Sequence, residues 1–315
     1  MTACAAGALI YGAIPVFADV DPKTGCLDPD SIAERITQRT KAILLVHQFG
    51  IPADMDRIMQ LARKHGIKII EDCAQAHGAK YKGQYVGTFG DIGVFSLNVN
   101  KTIQTGEGGI CITEDEDLRY KLALIRNHGE AVVGPAQIED ITNMIGFNYR
   151  FSELQAAVGI QQLKRLDMLN RTRIDYVNYL THEFGKIEFL EPLTNPEGCH
   201  STFYVFPALF CAEKAGIKRE KFVETINAEG LIYYQGYTRP LYLQPVYQRK
   251  AAFKHGYPFS APENKECLQE YQEGLCPNAE KLHFDAMLIN EHVRLPNEFT
   301  DIEDIVRVIN KVIDS

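Results

Sequence analysis

The chain has 315 residues, 45% of them hydrophobic and 23% charged, the make-up of an ordinary globular protein long enough for one large domain or two. A net charge of −8 at pH 7 argues against a nucleic-acid binder, which carries a basic excess. The eight cysteines form no C-x-x-C pair and no H-E-x-x-H run occurs, so no metal centre is expected, and the thiols read as reduced, in a cytoplasmic protein.

The first 17 residues, Met1 to Phe17, are apolar, but no Lys or Arg precedes Lys23. The stretch therefore reads as a buried helix running into a strand rather than a secretory signal. Ile14–Val20 is the expected first strand, closed by Asp21-Pro22. Asp28–Ser31 opens a helix to about Ile36, with Pro29 in its first turn. Lys41–Val46 is a second strand, Pro52–His65 an amphipathic helix stopped by Gly66, and Ile67–Glu71 a third strand. Gly93–Ser96 and Gly109–Thr113 add two more. Strand–helix alternation of this kind predicts an α/β fold, with a parallel or mostly parallel sheet flanked by helices.

Longer helical patterns follow over Asp115–His128 and Ser152–Leu169, the second opened by a capping box of Ser152 and Gln155. From about Asn170 helices alternate with a few strands, Ser201–Leu209 among them. Residues 236–276 are rich in Tyr, Pro and Gln and read as loops. A last helix covers Asp301–Asp314. This change of character places a domain boundary near residue 170, giving units of residues 1–169 and 170–315.

Ligands of open α/β sheets bind at the carboxyl ends of the strands. Two polar segments fall there. One runs from Glu71 through Asp72 and Gln75 to Gly78; the other runs from Ser96 to Lys101 and on to the turn at 106–109. An Asp and a Lys at neighbouring strand rims suit pyridoxal 5′-phosphate (PLP). The carboxylate would keep the pyridine nitrogen protonated, a pairing worth roughly 4 kcal/mol at ~4 Å and an effective dielectric near ~20. The Lys must be neutral to attack an aldehyde, so burial or a nearby cation must lower its pKa. Taken singly, the same residues have plainer uses: a strand-end Asp as a cap or turn residue, a loop Lys as a solvated charge, His47 and His77 as packing or hydrogen-bonding residues.

The combination of segments resembles the DegT/StrS-type family of PLP-dependent sugar aminotransferases. The carrying strings are PVFADVDP (15–22), LDPDSI (27–32), TKAILLVHQFG (40–50), PADM (52–55), IIEDCAQAHGA (69–79), VGTFGDIGVFSLNVNKTIQTGEGG (86–109), RNHGE (126–130) and GFNYRFSELQAAVGIQQLKRLD (146–167). The resemblance implies a type I PLP-transferase fold: a large α/β domain and a smaller α+β C-terminal domain. It implies that Lys101 is the catalytic lysine that carries the cofactor, a position where relatives with His perform dehydration instead. Asp72 matches the partner of the pyridine nitrogen, Gln75 the residue near the phenolic oxygen, and Ser96 a phosphate-binding hydroxyl. Asn148 matches an asparagine that reaches the cofactor phosphate of a neighbouring subunit, so a homodimer with a shared active site is expected. The implied reaction moves an amino group from glutamate or glutamine to a keto-sugar, nucleotide-linked, in amino-sugar biosynthesis. Dehydration, epimerisation or a catalytically inactive relative are the alternatives. The family pattern also includes an earlier Gly-Thr-Ala/Ser turn for the phosphate, which this chain is expected to lack.

Overall fold

The structure, a computed structural model, describes residues 1–130, 145–267 and 269–314. Helices α1 (Ala3–Ile10) and α2 (Pro29–Arg35) come first. There follow β1 (Ala42–Val46), α3 (Met55–His65), β2 (Lys68–Asp72), β3 (Lys80–Tyr81), β4 (Gln84–Tyr85), β5 (Ile92–Ser96), β6 (Gly109–Ile112) and α4 (Glu116–Arg126). Next are α5 (Glu153–Leu163), α6 (Leu166–Phe184), β7 (Leu190–Pro192), β8 (Cys199–His200) and β9 (Phe206–Phe210). The chain continues with α7 (Ala212–Ala215), α8 (Arg219–Ala228), β10 (Tyr234–Gln235), α9 (Pro245–Gln248), α10 (Pro277–Lys281), β11 (Met287–Asn290) and α11 (Phe299–Ile313).

Local chemistry sets the element ends near the sheet. Asp54 caps α3 by accepting the Arg57 amide, and Gly66 ends it in the left-handed region at φ 64°, where glycine has no Cβ to clash. The chain then turns straight into β2. Strands β1, β2, β5 and β6 form one sheet in that order. β1–β2 and β2–β5 are parallel, with Val46 opposite Asp72 and Asp72 opposite Val94; β6 returns antiparallel, with Ser96 opposite Gly109. The β1–α3–β2 crossover packs Ile58 and Ala62 of α3 with Ile43, Leu45 and Ile69 of the strands. Each fully buried aliphatic side chain there contributes roughly 1.5–3 kcal/mol. The result is the mostly parallel α/β sheet that the strand–helix alternation predicts.

A second sheet, β10-β11-β9-β7, is antiparallel throughout. It packs with α6, α8 and α11 in a core that includes Val177, Leu180, Phe206, Phe222, Leu288 and Ile305. Among the described residues no helix is long and apolar enough to cross a membrane.

Three expectations need correction. Ile14–Val20 is not a strand: only Val20 makes a bridge, to Leu27. Side chains take up this segment's main-chain groups instead. Gln269 bonds both the N–H and the C=O of Phe17, Ser31 accepts the Asp19 amide, and the Tyr271 hydroxyl donates to the Pro15 carbonyl. The predicted helix Ser152–Leu169 breaks at Lys164 and Arg165, and its second part continues as α6 to Phe184; the capping box of Ser152 and Gln155 is present. Of Ser201–Leu209 only Phe206 onward is sheet. The amides of Thr202 and Tyr204 bond instead to the carbonyls of Gly50 and Phe49. Gly50 is required there, because a Cβ would lie 2.8 Å from both the Gln75 carbonyl and the Phe203 amide.

Candidate active site

Asp72 and Ser96 are the last residues of β2 and β5, and His47 follows the last residue of β1. All three lie at the carboxyl edge of the parallel strands, where ligands of such sheets bind. The Ser96 hydroxyl accepts the Asn98 amide at 3.3 Å, starting the turn that leads to Lys101. Lys101 follows in that turn, its own amide bonded to the Asn98 carbonyl.

The Asp72 carboxylate has a donor on each oxygen. Oδ1 accepts the Ala74 amide at 2.9 Å, and Oδ2 accepts the Cys4 thiol at 3.1 Å. Burial, with the Asp72 charge beside it, pushes the Cys4 thiol up to about 12, so it stays protonated and works as a donor. The Lys101 ammonium lies over the Tyr204 ring, 4.8 Å from its centroid, a cation–π contact. Burial lowers the Lys101 pKa, and the negative charge of Asp72 opposes that shift. The lysine is thus partly desolvated, which favours the neutral amine a nucleophile needs, while the carboxylate within electrostatic reach favours the ammonium form.

Gln75 is held in one orientation. Its Oε1 accepts the Phe49 amide at 2.7 Å, and its Nε2 donates to the Tyr237 hydroxyl at 2.6 Å. Phe49 adopts a left-handed conformation, φ 59°, at a cost of about 1–2 kcal/mol. In return its amide meets Gln75, its carbonyl meets the Tyr204 amide, and its ring packs edge-on against Tyr237 at 5.1 Å. One Nε2 proton of Gln75 remains for a ligand.

Behind Asp72 lies a buried hydrogen-bonded pair, His47 and Glu71. His47 Nδ1 accepts the Ala53 amide at 3.1 Å, which leaves Nε2 to donate to Glu71 Oε2 at 3.0 Å; both side chains are fully buried. Glu71 also accepts the amides of Gly87, Phe89 and Gly90 at 2.6–2.8 Å. Burial alone would push its carboxyl up. The bonds from His47, Gly90 and Gly87 outweigh that and hold it below the usual range. His47, Glu71 and Cys73 bring ligand atoms within 4.8 Å of one another. Those of Glu71 and His47 are already spent on hydrogen bonds, and burial keeps the Cys73 thiol protonated, so the trio suits anchoring better than metal binding.

Two further residues surround Lys101. His77 is buried, and burial drops its pKa to about 4, with Lys101 and Arg173 acting the same way against the Ser96 carbonyl. Arg173 of α6 donates to Thr102 Oγ1 at 3.0 Å and to the Tyr204 carbonyl at 3.3 Å. It thereby ties the residue after Lys101 to the backbone beneath its ring partner. Asn148 is exposed and pairs with Asn127 through the backbone. Arg150 bonds the Asn127 side chain at 2.7 Å.

Sequence reasoning missed Cys4, Phe49, Arg173, Tyr204 and Tyr237, and placed Glu71 in the polar segment without its anchoring role. The only local signal was that of Glu71, an acid at the end of an apolar strand. Phe49 sits in the turn after β1, and the others meet the site from α1, α6 and the C-terminal segments, contacts that no spacing in one sequence reveals.

The sequence model of the DegT/DnrJ/EryC1/StrS aminotransferase family matches residues 1–270. The chain belongs to this family. The L-glutamine:2-deoxy-scyllo-inosose aminotransferase of Streptomyces kanamyceticus is 34% identical over 309 residues, covering 96% of this chain and 71% of the relative. The L-glutamine:scyllo-inosose aminotransferase of Streptomyces griseus is 33% identical, covering 99% and 74%. An aminotransferase from Psychrobacter cryohalolentis superposes on the whole chain and on 79% of its own length, with a TM-score of 0.85 and 31% identity. Membership in the DegT/DnrJ/EryC1/StrS family makes the protein an aminotransferase with PLP as its cofactor. The residues present fit that group: Asp72 offers an anion for the pyridine nitrogen, and Lys101 an amine of lowered pKa for the aldehyde.

Proposed function

We propose that the protein moves the α-amino group of glutamine or glutamate to the keto carbon of a sugar, nucleotide-linked in the reading that the sequence resemblance implies. The observation that carries this is Lys101, partly buried over the Tyr204 ring and within electrostatic reach of Asp72 at the carboxyl edge of the sheet. The relatives named for L-glutamine and an inosose support glutamine as donor and a polyhydroxylated ring ketone as acceptor class.

Bound PLP supplies an electron sink for the carbon that loses its proton. Asp72 keeps the pyridine nitrogen cationic, and Gln75 offers its free N–H to the phenolic oxygen. Ser96 is the hydroxyl for the phosphate. Lys101 would hold the cofactor through its amine and would move the proton as base and then acid. Residues 1–169 furnish these groups, and residues 170–315 add Arg173, Tyr204 and Tyr237.

A homodimer completes this reading. Helix α5 has no buried residue, and it exposes Leu154, Val158, Ile160 and Leu163. Tyr149 and Phe151, flanking the segment of the exposed Asn148, add to the apolar surface. Such a face calls for a cover, and a second copy would bring Asn148 to the neighbouring site. The described cysteines are free thiols, which suits a cytoplasmic setting.

Incubation with α-15N-glutamine and a panel of keto-sugars tests the reaction. The label should appear on a sugar carbon; a dehydrated or epimerised sugar without label would reject amino transfer.

A further inference from the structure

Beyond the cofactor residues, three cations converge on Tyr204. The Lys101 ammonium lies over its ring. Arg173, only 4% exposed, donates to its carbonyl. Arg294, in the connection between β11 and α11, acts on the Tyr204 hydroxyl: burial and Glu291 push that hydroxyl up, while Arg294 and Arg173 oppose them. The positive charge of Arg294 also lowers the pKa of Arg173, after burial the largest influence on it. Among the described residues none of the three cations makes an ion pair with a carboxylate within 4 Å.

Like charges gathered in a partly desolvated place repel, and an anion bound among them offsets the cost. Arg173 is closed to a ligand by burial rather than by lack of donors. It is sealed in, its Nη1 is spent on Thr102 and Tyr204, and its Nε lacks a partner. Arg294 is only half-buried. It gives one N–H to the carbonyl of Asn100, the residue before Lys101, at 3.3 Å. The rest of its five-donor fork is free to meet a carboxylate with two parallel hydrogen bonds.

We propose that Arg294 binds the α-carboxylate of the amino donor. This rests on the amino-transfer reading above and names its donor subsite. The donor's reacting amine and its carboxylate share one carbon, so a carboxylate subsite must lie within an amino acid's length of the Lys101 amine. The bond to Asn100 places the Arg294 fork one residue from Lys101 along the chain. A keto-sugar has no carboxylate on its reacting carbon, and the diphosphate of a nucleotide-linked one is several bonds away from that carbon, so Arg294 serves the donor half of the reaction and not the acceptor half. The shared anion chemistry could also be met by the cofactor phosphate, and the test separates the two.

The test uses the PLP-loaded protein and the tighter-binding of α-methyl-L-glutamine and α-methyl-L-glutamate, an analogue that lacks the proton that must leave and so binds without turnover. Its dissociation constant is read by calorimetry for wild type, Arg294→Gln and Arg294→Lys, with PLP affinity measured in parallel. Arg294→Gln should weaken the analogue roughly tenfold to a hundredfold. Arg294→Lys should recover part of the loss, because a point charge remains without the fork, and PLP affinity should hold. In the wild type, the same analogue with its α-carboxylate converted to an amide should bind as weakly as the acid binds Arg294→Gln. Loss of PLP affinity in Arg294→Gln would assign the residue to the cofactor phosphate and overturn the proposal. Unchanged analogue affinity would overturn it as well. Wild-type protein that binds PLP but not the analogue would instead reject the amino-transfer reading on which the proposal stands.

Discussion

Gln75 gives its Nε2 proton to the Tyr237 hydroxyl at 2.6 Å while the Phe49 amide fixes its Oε1 at 2.7 Å. The side-chain amide therefore cannot flip without losing two bonds, and its remaining N–H has one direction in which to point. Tyr237→Phe keeps the ring contact with Phe49 and removes the hydroxyl alone. A hydrogen bond of this kind contributes about 0.5–1.5 kcal/mol, so PLP affinity should fall by a factor of roughly two to ten. Absorbance titration of the cofactor checks this; unchanged affinity would mean that the hydroxyl does not orient Gln75.

Glu71 carries the ground on which Asp72 stands. Four N–H groups, one from His47 and three from the 87–90 turn, converge on its two oxygens. Glu71→Gln keeps the shape but points an NH2 group at donors. Leaving a buried donor without its acceptor costs about 1–3 kcal/mol. Urea unfolding should show a loss of that order, and a loss under about 1 kcal/mol would contradict the anchoring role.

The α/β sheet was legible because short continuous apolar runs such as AILLV (42–46) alternate with a capped helix whose ends, Asp54 and Gly66, carry their own chemistry. Asp72, Gln75, Ser96 and Lys101 were legible as residues because they sit within short, distinctive strings. Their partners were not. Cys4 reaches Asp72 across 68 residues and Tyr237 reaches Gln75 across 162, contacts created by packing and not by any local period. Ile14–Val20 misled for a related reason. Its β-branched and aromatic residues suit a strand, yet Gln269 and Tyr271 answer its backbone in place of a sheet neighbour.

His77 should leave a mark on the pH dependence of stability. Its imidazole is buried, with a folded pKa of about 4 against an ordinary value of 6.5. Below pH ~6.5 the unfolded chain gains a proton at this site that the folded chain refuses. Stability is therefore lost as pH falls from ~6.5 to ~4, by up to about 3 kcal/mol from this group. Urea unfolding of wild type and His77→Gln at pH 4.5 and 7 isolates it. The variant should lose less stability on acidification, and equal losses would contradict the buried neutral imidazole.

The apolar face of α5 tests the dimer. Leu154 is 82% exposed in the single chain, so Leu154→Glu should leave the folded subunit intact. Light scattering should report a dimer for the wild type and a shift toward monomer for the variant. A monomeric wild type would overturn the shared site.

The central claim is that Lys101 is the amine that holds PLP. The protein is mixed with PLP, reduced with borohydride and digested, and the pyridoxyl adduct is located by mass spectrometry. The adduct should lie on Lys101, and Lys101→Ala should carry none at any site in comparable yield. An adduct on another lysine, or equal labelling of the Lys101→Ala protein, would contradict the account.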